Sequence, residues 1–353
     1  MPRTQDHLVM KWIIAFGSMA VLLVIYGGFV RLTRAGLSIV EWNPVSGAVP
    51  PMTSGAWEVE FAKYQSTPEY QQINRGMTLP EYREIFLIEW IHRFLARLAG
   101  FVFAVPFFIF LFTGRIPWKE SALYVVMGAL FLLQAVMGWV MVSSGLVERP
   151  SVSHFLLAAH LFLALSLIGL SAWTALGHYY GFPPPSGQSS WSSRSIAALM
   201  GLAFLLAQMA YGAFTAGLKA GLVSNTWPMM LGRLLPGGLL DQVQPPISNL
   251  VEAPLTVAFI HRWFAWVVLL AAGMAARIVL RGGVGLDLHR TVRLILLLGL
   301  LQIGLGVAVV VSGVSIALAS LHQFNALALF LLGVFLLYRL RQQDRLDSPA
   351  ASI

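Results

Sequence analysis

The sequence predicts an all-α membrane protein of eight transmembrane helices, built as two pseudo-symmetric four-helix bundles related by a parallel repeat. Three observations carry that prediction. Of 353 residues, 58% are hydrophobic and only 11% charged. Several uncharged apolar runs exceed the roughly 18 residues that a bilayer crossing requires. Motifs of the first half also return, in order, in the second half.

Five spans lie in runs delimited by charges. Trp12–Val30 lies between Lys11 and Arg31, Ser121–Val147 between Glu120 and Glu148, and Ser195–Leu218 between Arg194 and Lys219. No formal charge occurs between Arg293 and Arg339, which leaves room for two spans joined near Ser312–Ser320. Apolar stretches around 90–112, 154–177 and 256–280 complete the eight. In the long outer segment 31–88, Thr67-Pro68-Glu69-Tyr70 and Leu79-Pro80-Glu81-Tyr82 each place proline in a first helical turn before glutamate. They predict short surface helices, the second leading into the helix that bears His92.

The repeat is specific. Tyr26-Gly27 with Phe29, Ala35-Gly36-Leu37 and Trp42 recur as Tyr211-Gly212 with Phe214, Ala220-Gly221-Leu222 and Trp227, each 185 residues on. Gln134 to Gly138 with Ser144-Gly145 recur as Gln302 to Gly306 with Ser312-Gly313, at an offset of 168. Each half has an even number of helices, so both enter the membrane from the same side. The expected division is 1–177 for the first half, a cytoplasmic linker at 178–194 containing Pro183-Pro184-Pro185 and a Ser/Gly run, and 195–353 for the second half.

The net charge of +8 is explained by topology and is not a nucleic-acid footprint. With the N-terminus inside, Arg3, Lys11, Arg115, Lys119, Arg194, Arg277, Arg281, Arg290, Arg293, Arg339, Arg341 and Arg345 fall on the cytoplasmic side, while the two short outer loops carry only Arg149. Both termini are then cytoplasmic. The absence of cysteine excludes disulfides, Cys-ligated zinc and iron–sulfur clusters. The first apolar run is too long for a signal peptide and offers no small-residue cleavage site, so a bacterial cytoplasmic membrane is the expected location.

Four histidines stand out because they pair through the repeat. Ile91-His92-Arg93 matches Ile260-His261-Arg262, and His160-Leu161-Phe162 matches His322-Gln323-Phe324. Each lies within about two turns of the outer end of an apolar helix. Imidazole is costly in lipid, and paired imidazoles can hold a haem iron from both faces. Two pairs therefore predict two haem sites, side by side at similar depth. For one histidine alone, a hydrogen bond to a carbonyl or headgroup would suffice as explanation. His7, His178 and His289 fall in cytoplasmic segments and His154 at the interface, none with a repeat partner.

Arg93 and Arg262 follow the first histidine of each pair, and Arg97 lies one turn beyond Arg93. Guanidinium pairs bidentately with carboxylates such as haem propionates, although these positions also permit snorkelling to headgroups. Glu89 shares a helix face with His92, whereas the matching position in the second half is Ala258. A carboxylate near a helix start also compensates the helix dipole. Its asymmetry, however, points to one reactive site and one supporting site.

These motifs make the chain resemble the haem A synthase family over nearly its whole length. The carriers are Gly27-Gly28-Phe29-Val30-Arg31-Leu32-Thr33 with Ser38-Ile39-Val40-Glu41-Trp42-Asn43-Pro44, Glu89-Trp90-Ile91-His92-Arg93 and His160-Leu161. The second half adds Gly217 to Gly221, Asn225-Thr226-Trp227-Pro228, His261-Arg262 and Leu321-His322-Gln323. The resemblance implies oxidation of a methyl group of haem O to a formyl group through successive hydroxylations and loss of water. It implies that His92 and His160 hold the substrate haem, that His261 and His322 hold a haem b cofactor relaying electrons, and that Glu89 takes part in the chemistry.

The partners implied are haem O, O₂ or water, an electron donor not named by the sequence, haem O synthase, oxidase assembly factors and the lipid bilayer. Because bis-histidine ligation would block O₂ at iron, either a ligand leaves or the oxygen arrives as water. The chain resembles the cysteine-free class of the family. It departs from the common pattern at Leu156, where relatives often carry arginine, and at Lys219, where an acidic residue is common. Two other functions use paired membrane histidines: an electron-transfer cytochrome b and a haem carrier.

Overall fold

The computed structural model describes residues 6–146, 150–182, 191–281 and 283–346. Eight helices are long and apolar enough to cross a membrane. In chain order the α-helices are α1 (His7–Leu32), α2 (Ser54–Gln65), α3 (Pro68–Gln72), α4 (Leu79–Phe112), α5 (Ala122–Ser144), α6 (His154–Tyr180), α7 (Ser193–Gly217), α8 (Asn249–Glu252), α9 (Pro254–Leu280), α10 (Leu286–Val311) and α11 (Ile316–Leu346). All but α2, α3 and α8 are the spanning helices. Among the described residues, β-structure is limited to an isolated bridge between Met230 and Arg233. The chain is a multi-pass membrane protein.

The second proline-led start in the outer segment is not a separate surface helix. Thr78 caps it, with the Glu81 carboxylate accepting from the Thr78 N–H at 2.7 Å. From there α4 runs for 34 residues and continues through Pro106 in its interior. The first start does form a short helix, α3, capped by Thr67. Helix α2, capped by Thr53, had no sequence expectation. The linker prolines Pro183–Pro185 lie outside the described residues.

The chain divides into two compact units, Ala15–Ile168 and, together with Met1–Ile14, Gly169–Ile353. The division falls inside α6 rather than in the linker expected at 178–194. Packing around the end of α6 accounts for its place. Trp173 meets the Tyr338 ring at 5.0 Å, Tyr338 Oη donates to the Gly181 carbonyl, and the Gln342 amide donates to the Tyr180 carbonyl.

In the unit 15–168, Phe16 packs on Phe103 of α4 at 4.7 Å and on Phe131 of α5 at 5.7 Å. Above the histidine level an aromatic cap of Tyr64, Tyr82 and Phe86, with Trp57, Phe61 and Tyr70 against it, is built on the first turns of α4. In the other unit, Leu336, Leu337 and Leu340 of α11 form a core with Ala276, Val279, Leu288 and Val292. The ends of α7 and α11 are tied by Asp344, which accepts from Ser195 Oγ at 2.7 Å and pairs with Arg341 at 2.8 Å. The second outer segment is knitted by buried Asn249, whose amide donates to the carbonyls of Leu240, Val243 and Pro246 while its Oδ1 accepts from the N–H groups of Gln242 and Val243. Helices α5 and α10 occupy equivalent places in the repeat and expose apolar side chains such as Leu132 and Leu297, as lipid contact requires.

Candidate functional site

Each of the four repeat-matched histidines sits on a spanning helix and packs against a glycine of the preceding one. A Cβ on Gly27 of α1 would lie 3.1 Å from His92 Nε2, and one on Gly212 of α7 would lie 3.3 Å from His261 Cε1. Likewise a Cβ on Gly138 of α5 would lie 3.2 Å from His160 Cε1, and one on Gly306 of α10 would lie 3.1 Å from His322 Cε1. Gly27 and Gly212 are repeat equivalents, as are Gly138 and Gly306. Glycine is needed at these four positions because the imidazole fills the space a side chain would take.

The second pair is the better defined. The rings of His261 and His322 have centroids 6.4 Å apart and lie at 79° to each other. Two imidazoles on opposite sides of one metal atom, each bonded at about 2 Å and with its centroid about 1 Å behind the ligating nitrogen, would be separated by about that distance. Gln208 Nε2 donates to the His261 carbonyl at 2.8 Å and lies 3.2 Å from its Nδ1. Gln302 Nε2 donates to the His322 carbonyl at 3.1 Å and lies 3.2 Å from its Nε2. Asn325 in turn donates to Gln302 Oε1 at 2.7 Å. His322 Nδ1 is buried with no hydrogen-bond partner. Ring spacing, glycine-lined slots and a free ring nitrogen fit a bis-histidine haem.

The first pair is held differently. His92 stacks on Tyr26, with centroids 6.2 Å apart and planes at 12°. His160 Nδ1 is buried without a partner. Gln134, the repeat equivalent of Gln302, has an unpartnered buried Oε1. Of the remaining histidines, His7 and His289 are exposed. His178 is buried, and its Nδ1 accepts from the Asp6 N–H at 3.2 Å.

Glu89 is 3% exposed and densely bonded. Its Oε2 accepts from Ser38 Oγ at 2.7 Å, the Ser38 N–H at 2.8 Å and the Ile39 N–H at 3.0 Å. Its Oε1 accepts from Arg93 Nη2 at 2.6 Å and Nε at 3.1 Å. Sequence pattern alone placed Glu89 beside His92 but could not supply these partners, since Ser38 is 51 positions away.

The three arginines all reach back to carbonyls of the preceding outer segment. Arg93 donates to Ile39 O at 3.0 Å and Glu41 O at 3.3 Å. Arg262 donates to Ser224 O at 2.5 Å and Thr226 O at 3.0 Å. Ser224 and Thr226 are the residues 185 positions after Ile39 and Glu41, so the same clamp recurs at equivalent positions in both halves. Arg97 donates to Pro44 O at 2.8 Å and Asn43 O at 2.9 Å, and its Nη1 is buried without a partner. The arginines thus pin the outer segments, a role expected neither from propionate recognition nor from snorkelling. A backbone carbonyl leaves no mark in sequence; only the strict repeat of the His-Arg dipeptide and of the segment it clamps could have signalled it.

Residues 10–334 match the COX15-CtaA family, described as cytochrome oxidase assembly protein. The haem A synthase of Parvibaculum lavamentivorans is 44% identical over 75% of this chain and 76% of its own length. That of a Wolbachia from Brugia malayi is 38% identical over 98% of this chain and 100% of its own length. That of Rhodospirillum centenum is 40% identical over 95% and 89%. With paired histidines on four spanning helices, and with relatives of that one kind matching it almost end to end, the chain belongs to the haem A synthases of the COX15-CtaA family.

Proposed function

We propose that this protein makes haem A from haem O, oxidising one ring methyl to a formyl group for assembly of terminal oxidases. The observation that carries this reading is the unequal pair of equal sites: two repeat-matched histidine pairs, with a buried carboxylate beside only the first. We assign His92 and His160 to the substrate haem O and His261 and His322 to a resident haem b. Residues 1–177 then form the substrate half and 195–353 the cofactor half. Bound haem b would supply one-electron chemistry.

The residues have separable tasks. His92 and His160 orient the substrate ring, with Tyr26 stacked on His92 to fix its plane. Gln208 and Gln302 hold the second pair in register. Glu89, with both oxygens already accepting, supplies a fixed negative charge beside the first pair where positive charge develops at the methyl carbon. Among the arginines, Arg97 Nη1 is the donor best supported for a propionate; Arg93 and Arg262 would offer the N–H groups left over from their clamps. Net positive inner loops support a cytoplasmic location for both termini.

Mass spectrometry of haems extracted from membranes of a host that lacks its own haem A synthase tests the function. Expression of this chain should yield haem A, and Glu89→Ala should leave haem O or its singly hydroxylated derivative. An electron-transfer cytochrome or a haem carrier would leave haem O unmodified in both cases, which would overturn the assignment.

A further inference from the structure

The second half of the molecule serves as an internal control for Glu89. In both halves an arginine clamps the outer segment through equivalent carbonyls, Arg93 on Ile39 and Glu41, Arg262 on Ser224 and Thr226. The clamp therefore forms without a carboxylate, since Ala258 stands where Glu89 does. The partner changes with it. Ser38, fully buried and bonded to Glu89, has Val223 as its repeat equivalent, and Val223 packs on an apolar cluster of Ala220, Met230, Leu255 and Ala258.

One half thus holds a hydrogen-bonded polar pair, Ser38 and Glu89, and the other an apolar pair, Val223 and Ala258. A buried carboxylate without donors costs several kcal/mol in rough terms, so the two positions can only be exchanged together. Holding the segment needs neither polar residue. What remains to account for Ser38 is the placement of Glu89.

We propose that Ser38 is a positioning residue for the reaction. Its hydroxyl and N–H, with the Ile39 N–H, fix Glu89 Oε2 while Arg93 fixes Oε1, so that the carboxylate is a stationary charge at the substrate haem. This inference rests on the assignment of the reactive site to the first half. It extends that assignment to a residue that would act through Glu89.

The test uses full-length enzyme in isolated membranes supplied with haem O. Ser38→Ala should lower the maximal rate of haem A formation about tenfold, the scale of one hydrogen bond to a charged group. The haem O concentration for half-maximal rate should stay within about twofold and the haem b spectrum should not change. Ser38→Thr, which keeps the hydroxyl, should recover most of the rate. A wild-type rate in Ser38→Ala, or a Thr variant as slow as the Ala variant, overturns the proposal.

Glu89→Ala separates the two levels. If Glu89→Ala itself converts haem O normally, the assignment of the reactive half fails. If it is inactive while Ser38→Ala is unimpaired, only the positioning role fails. The double variant Ser38→Val/Glu89→Ala copies the second-half pair and should accumulate, keep haem b, bind haem O and form no haem A. Failure of that variant to accumulate would make the polar pair a requirement of the fold and overturn the inference.

Discussion

In the first half of the chain a buried carboxylate gathers five donor contacts from Ser38, Ile39 and Arg93, whereas the corresponding place in the second half is filled by Val223 and Ala258 against an apolar cluster. Around this difference the scaffold is conserved between the halves: a glycine under each histidine and an arginine on each outer segment. The histidines differ in their supports as well. His261 and His322 each have a glutamine bonded to the backbone and facing the ring, while His92 has a tyrosine stacked on it. Duplicated architecture thus repeats the paired histidines in both halves, and a few unmatched side chains set the two places apart. On the assignment proposed above, the resident haem would be held by doubly anchored ligands, and the haem that must arrive, react and leave by fewer anchors and a charge.

The widest separation of the halves should come from the ligands themselves. His261→Ala or His322→Ala should remove the low-spin haem b signal entirely and stop haem A formation, read by optical and EPR spectra of the purified protein. His92→Ala should leave that signal in place. A persisting bis-histidine haem b signal in both second-half variants would erase the distinction drawn between the pairs.

A smaller but sharper contrast concerns the arginine clamps. Removing Arg262 loses two bonds to neutral carbonyls, of the order of 1–3 kcal/mol. Removing Arg93 also leaves the buried Glu89 carboxylate without its cation, roughly 3–5 kcal/mol. Arg93→Ala should therefore lower the thermal midpoint more than Arg262→Ala, and adding Glu89→Ala should restore part of the loss in the first case. Equal midpoints for the two single variants would mean that the carboxylate gains nothing from its arginine.

The glycine slots should respond more mildly. Gly306→Ala would press its methyl to about 3.1 Å from His322, and Gly212→Ala to about 3.3 Å from His261. Loss of haem b on dilution should accelerate severalfold in the first and less in the second. The opposite order would show that ring contact is not what these glycines provide.

The smallest effect belongs to the outer segment of the first half. Lys63 pairs with Glu60 at 2.9 Å and Glu41 at 3.1 Å. The hydrogen bond from Lys63, with one from Asn43, holds the Glu41 carboxyl below its ordinary value. The bond to Glu60, with that to Glu41, lifts the Lys63 ammonium above its ordinary value. A lowered carboxyl adds stability that is present above its ordinary value and fades as pH falls through the lowered one. A raised ammonium adds stability that is present below its ordinary value and fades as pH rises through the raised one. Hydrogen exchange in α2 should thus be insensitive to this network across neutral pH and should quicken slightly only toward either extreme. High salt should blunt even that, because the pair is exposed. A marked change near neutrality would point to another titrating group.

The eight spans were readable in the sequence because each contains a long apolar run, most of them bounded by charge, and the junction between α10 and α11 fell where the small polar residues near Ser312 stand. The four histidines were readable because duplication turns an ambiguous single residue into a matched set. Helix α2 was not, since its Ser-Gly-Ala start and its low apolar content give no period to follow. The Ser38–Glu89 link escaped because it joins positions far apart through backbone N–H groups as much as through side chains. Gln208 escaped because it breaks the repeat: its counterpart is Leu23, so the logic that found the histidines passed it by. The end of α6 was assigned to the first half because the Pro- and Ser/Gly-rich linker follows it, whereas Trp173 packs on Tyr338 of α11.

The length of α4 bears on how the molecule is assembled. Its 34 residues make a rod of about 51 Å, against a hydrocarbon layer of about 30 Å. The overhang carries the aromatic cap, and the cap lies on the far side of the membrane from the ribosome in the orientation proposed here. Ser38 and its neighbours can meet α4 only after the whole segment between them has been translocated. Glu89 and Arg93, by contrast, are four residues apart on one helix and find each other as soon as that helix winds. The carboxylate therefore enters the bilayer already escorted by its own cation, and the outer segment later closes over an ion pair rather than over a bare charge. Any change that moved Glu89 and Arg93 out of that spacing would burden biogenesis before it touched catalysis, and would appear first as lost protein in the membrane.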